Sequence, residues 1–389
     1  MKFNINNFKC FYNADVILNN LTVLAGANGY GKSSVIQALL FLRRTIERCS
    51  KLKGDRYSEN LNSSIEVELN GSYCLSLGMS NDVIPIESDT ESLLQLKFEN
   101  DSSSFGVKYK LSDDNNSLFL QLVESKLLGD IANLSIFKKN FFYLNAERIG
   151  PRISQQMKFH RYPNVGWQGE YTAHILAEYG YKNEFNTHVE VDSLRLFSCE
   201  NSSKYLLSQT QEWMEFILPG TVVDVEKATR MQSAQILVKN QYSKGMPILS
   251  TNIGFGISYV LPIIVTGLIA PKGSIIIIEN PEAHLHPSAQ SKIGHFLSVV
   301  AQSGVTVIVE THSEHVINGI QIAVAKKIIN NNLITINFFS KEEKESKYSQ
   351  PSIKAININQ DAMLSCWPTG FFDQTQKDYS MLYNLILND

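Results

Sequence analysis

One short string constrains this chain more than anything else in it: Gly26-Ala-Asn-Gly-Tyr-Gly-Lys-Ser33, a complete G-x-x-x-x-G-K-S pattern. It follows the strand-like run Leu21-Thr-Val-Leu-Ala25 and opens an apolar-periodic segment with Val35, Leu39, Leu42 and Ile46 on one helical face. Strand, glycine loop, helix is the order that turns such a string into a phosphate site. The glycines let backbone N–H groups curl around phosphate oxygens, and the helix N-terminus adds its positive end. Gly26, Asn28, Gly29, Gly31, Lys32, Ser33 and Ser34 are therefore expected to contact a nucleotide. Lys32 would reach the β- and γ-phosphates, and Ser33 would ligate the Mg2+ that bridges them. The implied ligand is a nucleoside triphosphate.

At 389 residues the chain can hold two or three domains, or one large core with an insertion. A content of 43% hydrophobic and 19% charged residues is that of an ordinary soluble globular protein. A net charge of −3 argues neither for nor against nucleic acid, because a local basic patch suffices to bind it. Cys10, Cys49, Cys74, Cys199 and Cys366 are widely spaced with no C-x-x-C pair, which reads as free thiols in a reducing compartment. The N-terminus lacks the apolar stretch of a signal peptide. The longest apolar run, residues 257–270, is too short for a membrane span and is followed by Pro271-Lys272. The expected location is cytoplasmic, with no membrane partner.

Four regions follow from the pattern. Residues 1–150 hold the phosphate loop and a set of strand-like segments separated by polar turns at 100–104 and 112–117, which we read as an antiparallel sheet beside the nucleotide core. Residues 151–245 read as an insertion, with helices near 171–179 and 203–217 and strands near 222–229 and 234–240. Residues 246–335 return to an α/β pattern, and 336–389 form a C-terminal segment. The run Ile275-Ile-Ile-Ile278 suits a strand buried on both faces of a parallel sheet, and 305–309 is a second such strand.

These strands end in chemistry. Ile275-Ile-Ile-Ile-Glu279 hangs a carboxylate where a Walker B acid would sit beside Mg2+, and runs on as Asn280-Pro-Glu-Ala-His-Leu-His-Pro287. The second strand leads into Glu310-Thr-His-Ser-Glu314, placing His312 where it can hydrogen-bond a γ-phosphate. Upstream, Asn252-Ile-Gly-Phe-Gly-Ile-Ser258 is a glycine-rich turn opening an apolar helix, a second helix N-terminus bared for an anion. Pro262 is tolerable in that helix only in its first turn.

This order of motifs resembles the ABC-type ATPase heads of the SMC, RecF and OLD group. The opening Asn7-Phe-Lys-Cys-Phe11 looks like the N-terminal strand of those heads, and Trp367-Pro-Thr-Gly-Phe-Phe-Asp-Gln374 is similar to the C-terminal box of a bacterial family of stand-alone ATPases whose relatives recur in anti-phage systems. The resemblance also covers 143–152 and 165–170. It implies an α/β fold: an ABC-type ATPase head with a parallel core sheet, an antiparallel β lobe and a helical insertion. It implies ATP and Mg2+ as cofactors, with the metal at Ser33 and Glu279. Lys32, Glu279, Glu282 and His312 would serve catalysis. It implies that Asn252, Gly254, Gly256 and Ser258 form a signature turn completing the partner subunit's site, so that the chain works as a homodimer or higher homo-oligomer around ATP. Arg148 falls where a coupling loop links nucleotide to a partner.

One departure matters. The position after Glu279, where many relatives carry the carboxylate that orients water, is Asn280. An amide cannot take a proton, and losing a positioned general base costs about 10²–10⁴ in rate. Either Glu282 takes the role or hydrolysis is slow. The expected activity is an ATPase controlling a separate effector protein, a nuclease or toxin, in anti-phage defence. The rivals are a RecF-like DNA repair ATPase and a nearly inert ATP-gated scaffold or inhibitor. The chain after His312 is too short for an appended metal-dependent nuclease, so such an activity is expected on another polypeptide.

Other features have plainer readings. His284, His286, His312 and His315 have spacings that zinc can use, but the switch and post-Walker B roles account for them. The run Arg43, Arg44, Arg48, Lys51, Lys53, Arg56 reads as a solvated helix face. The group Arg148, Arg152, Lys158 and Arg161, interleaved with Phe159, His160 and Tyr162, suits a nucleic-acid strand, a packed insertion or a protein interface equally. Residues 367–372 read as an apolar segment docked on the core, followed by a short amphipathic helix over 379–387.

Overall fold

Alternating apolar residues at the N-terminus (Phe3, Ile5, Phe8, then Phe11 and Val16) make a hairpin, β1 (Lys2–Phe8) and β2 (Phe11–Ile17), with one face buried. The computed structural model describes residues 1–62, 65–86, 93–111, 116–158, 160–182, 188–198, 203–240, 242–341 and 349–387. Phe159, Cys199 and part of the polar turn at 112–117 lie outside them. In chain order there follow β3 (Leu21–Gly26), α1 (Lys32–Cys49), β4 (Leu52–Lys53), β5 (Arg56–Tyr57), β6 (Glu66–Glu68), β7 (Leu94–Glu99), β8 (Ser104–Lys110), β9 (Phe119–Leu128) and β10 (Phe141–Leu144). The middle of the chain forms β11 (Gln155–Gln156), α2 (Thr172–Tyr179), α3 (Leu206–Ile217), β12 (Thr221–Ala228), β13 (Ser233–Asn240) and β14 (Ile248–Leu249). The last part forms α4 (Phe255–Ile269), β15 (Ile275–Glu279), α5 (Pro287–Gln302), β16 (Thr306–Glu310), α6 (Glu314–Ala325), β17 (Ile334–Ser340), β18 (Ser352–Ile356) and α7 (Gln374–Leu387).

The central sheet has the order β10-β15-β16-β3-β17-β18, parallel except for β18. Its strands read as unbroken apolar runs because both faces are covered. Ile275, Ile277 and Ile308 join Leu24, Phe141, Tyr143 and Phe339 in the core shared with α1 and the antiparallel sheet β2-β1-β7-β8-β9-β6. Ile276, Ile278, Val307 and Val309 face the opposite core, shared with α4, α5 and α6. The phosphate-loop helix is thus sandwiched between two sheets, while the helical layer lies on the other side. The expected α/β architecture with a parallel core and an antiparallel lobe is what the chain adopts.

Two readings change. Pro262 lies inside α4 rather than in its first turn. A proline there cannot donate to the carbonyl one turn back, and its ring is covered by the loop at Gly169, where a Cβ would come within 2.5 Å of Pro262 Cγ. Arg43 is not on a solvated face: it is fully buried, because α1 is covered by sheet on two sides. Arg44 is half-buried and pairs with Glu68 at 2.6 Å.

In the C-terminal segment Phe371 is buried and packs edge-on against Phe338, so part of it does dock on the core. Beyond it α7 leaves Tyr379, Leu382, Tyr383 and Ile386 exposed.

Candidate functional site

The loop after β3 is held in a shape that only glycine allows at two points. Gly26 has φ 136, and a Cβ there would sit 2.2 Å from the carbonyl oxygen of Phe339 on β17. Gly31 has φ 87, and a Cβ would strike the Phe11 ring at 2.5 Å. The loop is therefore threaded between the edge of β17 and the β1–β2 hairpin, and it delivers Lys32 and Ser33 to the first turn of α1. Asn28 and Gly29 stand exposed at its tip.

Lys32 is buried and folds back onto its own loop, donating to the carbonyls of Gly26 (2.9 Å) and Ala27 (2.8 Å). Burial lowers its pKa, and the nearby charge of Glu310 opposes that shift. Ser33 Oγ donates to Glu310, 3.0 Å from Oε1 and 3.3 Å from Oε2. Glu310 ends β16, which lies directly beside β3. The motif order points to Glu279 as the acid beside Ser33; the carboxylate in contact with Ser33 is instead that of Glu310, at the head of the Glu310-Thr-His-Ser-Glu314 string. Burial, with the like charge of Glu279 next, raises the Glu310 carboxyl to about 7.

Glu279 lies one strand further away. It accepts from Tyr143 Oη at 2.9 Å, and Tyr143 Oη in turn accepts from Asn145 Nδ2 at 3.1 Å. Its pKa is raised mainly by burial, against the Tyr143 hydrogen bond. Asn280 turns sharply, with φ 44, and its N–H donates to the Glu310 carbonyl at 2.9 Å. Glu282 reaches back to the end of β16: Oε2 accepts from Thr311 Oγ1 at 2.8 Å and Oε1 from the backbone N–H of His312 at 2.7 Å. The switch segment is thereby tied to the loop after β15. His312 is exposed, and its pKa is lowered by partial burial and by the charge of Lys32. Ser313 caps α6 and donates to Gln290 at 2.6 Å.

Arg148 is buried beneath this loop. Nη1 donates to the carbonyls of Asn145 (3.0 Å) and Glu279 (2.7 Å), and Nη2 to that of Asn280 (2.6 Å). It also lies 5.2 Å from the centre of the Tyr259 ring on α4. The candidate coupling residue thus clasps the backbone that follows β15 and touches the helix opened by the signature turn.

That turn sits elsewhere. Gly254 caps α4, Asn252 and Phe255 are exposed, and Phe255 and Tyr259 pack on His284 with ring centres 5.4 and 4.5 Å away. Residues 252–258 are packed against the loop after β15 and against Gly150, where a Cβ would meet Phe255 at 2.8 Å. The basic and aromatic group of the insertion also divides. While Arg148 is buried, Lys158, His160, Arg161 and Tyr162 line a cavity of about 370 Å3 together with Trp167 and Tyr171.

Among the described residues no group of three or more His, Cys, Asp or Glu is placed to hold a metal, so a cation here would rely on the loop hydroxyl and a pair of carboxylates. Ser33, Glu310 and Glu279 fit that requirement for Mg2+, which takes few protein ligands and keeps several waters. The donor set is all oxygen.

The family model described as "AAA ATPase domain" matches residues 1–165, and the one described as "AAA domain, putative AbiEii toxin, Type IV TA system" matches 162–318. A "Protein of unknown function (DUF3696)" model matches 329–382. No curated protein matches the chain. Among solved structures, an SMC head bound to the C-winged helix domain of ScpA is similar at 11% identity and TM-score 0.53, over 93% of this chain and 99% of that one. An SMC head domain from Thermotoga maritima is similar at 11% identity and TM-score 0.42, over 91% and 98%. An Smc head with an extended coiled coil, bound to the C-terminal domain of ScpA derived from Pyrococcus furiosus, is similar at 9% identity and TM-score 0.47, over 99% and 98%. At such identities the likeness is one of fold. The fold is that of an SMC-type ATPase head, and the AAA matches support an ABC-like ATPase. Among the described residues no helix is long and apolar enough to cross a membrane.

Proposed function

We propose that this chain binds ATP and Mg2+ at residues 26–34, hydrolyses ATP slowly, and uses the nucleotide to dock two copies of itself and control a separate effector. The observation that carries the reading is convergence at one end of the central sheet. Lys32 and Ser33 from the loop, Glu279 and Glu310 from adjacent strands, and Glu282 gripping the His312 segment come from three separate stretches of sequence.

Each residue has a physical task there. Backbone N–H groups of the loop and Lys32 cradle the phosphates. Ser33 and one carboxylate of the Glu310–Glu279 pair would hold Mg2+, which when bound neutralises charge building on the phosphates. Glu282 fixes the His312 segment so that the imidazole can register the γ-phosphate. Residues 252–258 present a helix N-terminus on a different surface, suited to the γ-phosphate of a second copy. Arg148 joins the two, because one guanidinium touches both the backbone after Glu279 and the ring of Tyr259 on the signature helix.

Asn280 supports a second reading, an ATP-gated scaffold with almost no turnover. The resemblance to defence-associated ATPases supports an anti-phage setting with a nuclease or toxin as effector, in a reducing cytoplasm. A RecF-like role on duplex DNA draws less support: on the solvent face of the antiparallel sheet Lys2, Lys97 and Lys108 are each paired with Asp15, Glu99 and Glu124. Mass photometry with a non-hydrolysable ATP analogue and Mg2+ tests the core reading. Dimers that appear with nucleotide and vanish in Lys32→Ala or Ser258→Arg are expected. Single copies under all conditions would overturn it, and salt-sensitive duplex binding by the dimer would move the reading to DNA.

A further inference from the structure

The two carboxylates at the head of the sheet are not equivalent in position. β16 lies between β3 and β15, so Glu310 stands between the phosphate loop and Glu279. The period-2 pattern puts both on one side: Ile275 and Ile277 face α1, as does Ile308, so Glu279 and Glu310 emerge beneath the α1 N-terminus together. They are direct register partners, which separates their backbones by about 4.8 Å, one strand spacing. Glu310 is on Ser33 Oγ at 3.0 Å, whereas Glu279 is on Tyr143 Oη at 2.9 Å.

We propose that Glu310 is the carboxylate that holds Mg2+ with Ser33, and that Glu279, one strand further out, is the carboxylate that orients the attacking water. The assignment rests on the ATP–Mg2+ reading above. It supplies a base to a site whose usual position is Asn280. As the water oxygen bonds to the γ-phosphorus, the bond to the bridging oxygen breaks, its electron pair leaves with ADP, and the water's proton passes to Glu279. Tyr143, anchored by Asn145, is a positioning residue that holds the Glu279 carboxylate in place. Glu282 is a positioning residue too, since both its oxygens are engaged by Thr311 and His312.

The test is a titration of a fluorescent ATP analogue in EDTA and in Mg2+, using the full chain and its E310Q, E310D, E279Q and S33A variants. Thermal melts in EDTA verify that each is folded. The wild type should bind more tightly with Mg2+. E310Q should keep the EDTA affinity but lose about tenfold or more of the Mg2+ gain, as expected when a ligand to a hard cation is neutralised. E310D should recover part of it, and S33A combined with E310Q should lose no more than either alone. E279Q should keep the Mg2+ gain while single-turnover hydrolysis falls by about 10²–10⁴. A full Mg2+ gain in E310Q, or its loss in E279Q, overturns the assignment. A wild type that binds no analogue overturns the ATP reading itself, a distinct result.

Discussion

Two buried arginines clasp the chain on either side of β10, and they are held in opposite ways. Arg43, on α1, donates to the carbonyls of Ile136, Lys138 and Lys139 and forms an ion pair with Glu47 at 2.8 Å. It also lies within 5.0 Å of the ring centres of Tyr57 and Phe141. Burial works against its charge, but Tyr73 and Glu47 outweigh that and raise its pKa. Arg148 has carbonyl partners and a ring, no ion pair among the described contacts, and a buried Nε without a hydrogen bond. Burial brings its pKa down to about 10. One is a neutralised staple joining helix to linker. The other is a cation held by dipoles over the loop that follows β15.

The contrast is broken most directly by deleting each side chain. Arg43→Ala leaves three carbonyls without that donor and Glu47 without its cation, and removing one member of a buried ion pair costs about 3–5 kcal/mol. Arg148→Ala leaves carbonyls at the edge of the site unpaired, about 1–3 kcal/mol. Chemical denaturation of both variants should therefore place Arg43→Ala well below Arg148→Ala. Equal losses would show that Arg148 is as structural as Arg43. The smaller stability change in Arg148→Ala should come with a lost ATP-dependent dimer signal, which Arg43→Lys should retain.

A pH scan sharpens the same contrast. The site beside Arg148 contains Glu310, whose carboxyl is raised by burial and by Glu279 to about 7 from an ordinary value of 4.5. The folded state then binds more protons than the unfolded state between those values, so stability falls as pH rises through that window. Glu310→Gln should remove that part of the slope in nucleotide-free protein. An unchanged slope would assign it to other groups.

How far the sequence foretold this site depended on range. The strand, glycine loop and helix at 21–49, the strand ending in Glu279 and the strand ending in Glu310 were legible because each is a local pattern of glycine, β-branched run and carboxylate. The antiparallel lobe and parallel core followed from alternation in one and unbroken apolar runs in the other. The pairing of Glu310 was not legible: its partner Ser33 lies at the far end of the chain, and only the strand order β15-β16-β3 brings them together. Arg43 failed for a similar reason. Its neighbours Leu42 and Ile46 gave a single apolar stripe, but α1 lies between two sheets, and Leu40 and Phe41 are buried as well. Pro262 looked confined to a first turn because the glycine that covers it, Gly169, belongs to a different region.

The smallest effect concerns the thiols on either side of the Arg43 staple. Cys49 ends α1 and Cys74 follows Tyr73, whose hydroxyl donates to Glu47 at 2.6 Å. Burial pushes both thiols up to about 11. At pH 8 that cuts the reactive thiolate roughly a hundredfold relative to a thiol of pKa 9, because only the thiolate attacks. Maleimide labelling followed by peptide mass spectrometry should find both cysteines slow in the native protein and fast in denaturant. In Arg43→Lys, the linker loses part of its carbonyl clasp while the charge opposite Glu47 stays. Labelling of Cys74 should then rise before that of Cys49, since Cys49 also packs in the α1 core. Simultaneous acceleration would mean that the helix and its surroundings open as one unit, and that the staple secures α1 itself rather than the linker beneath it.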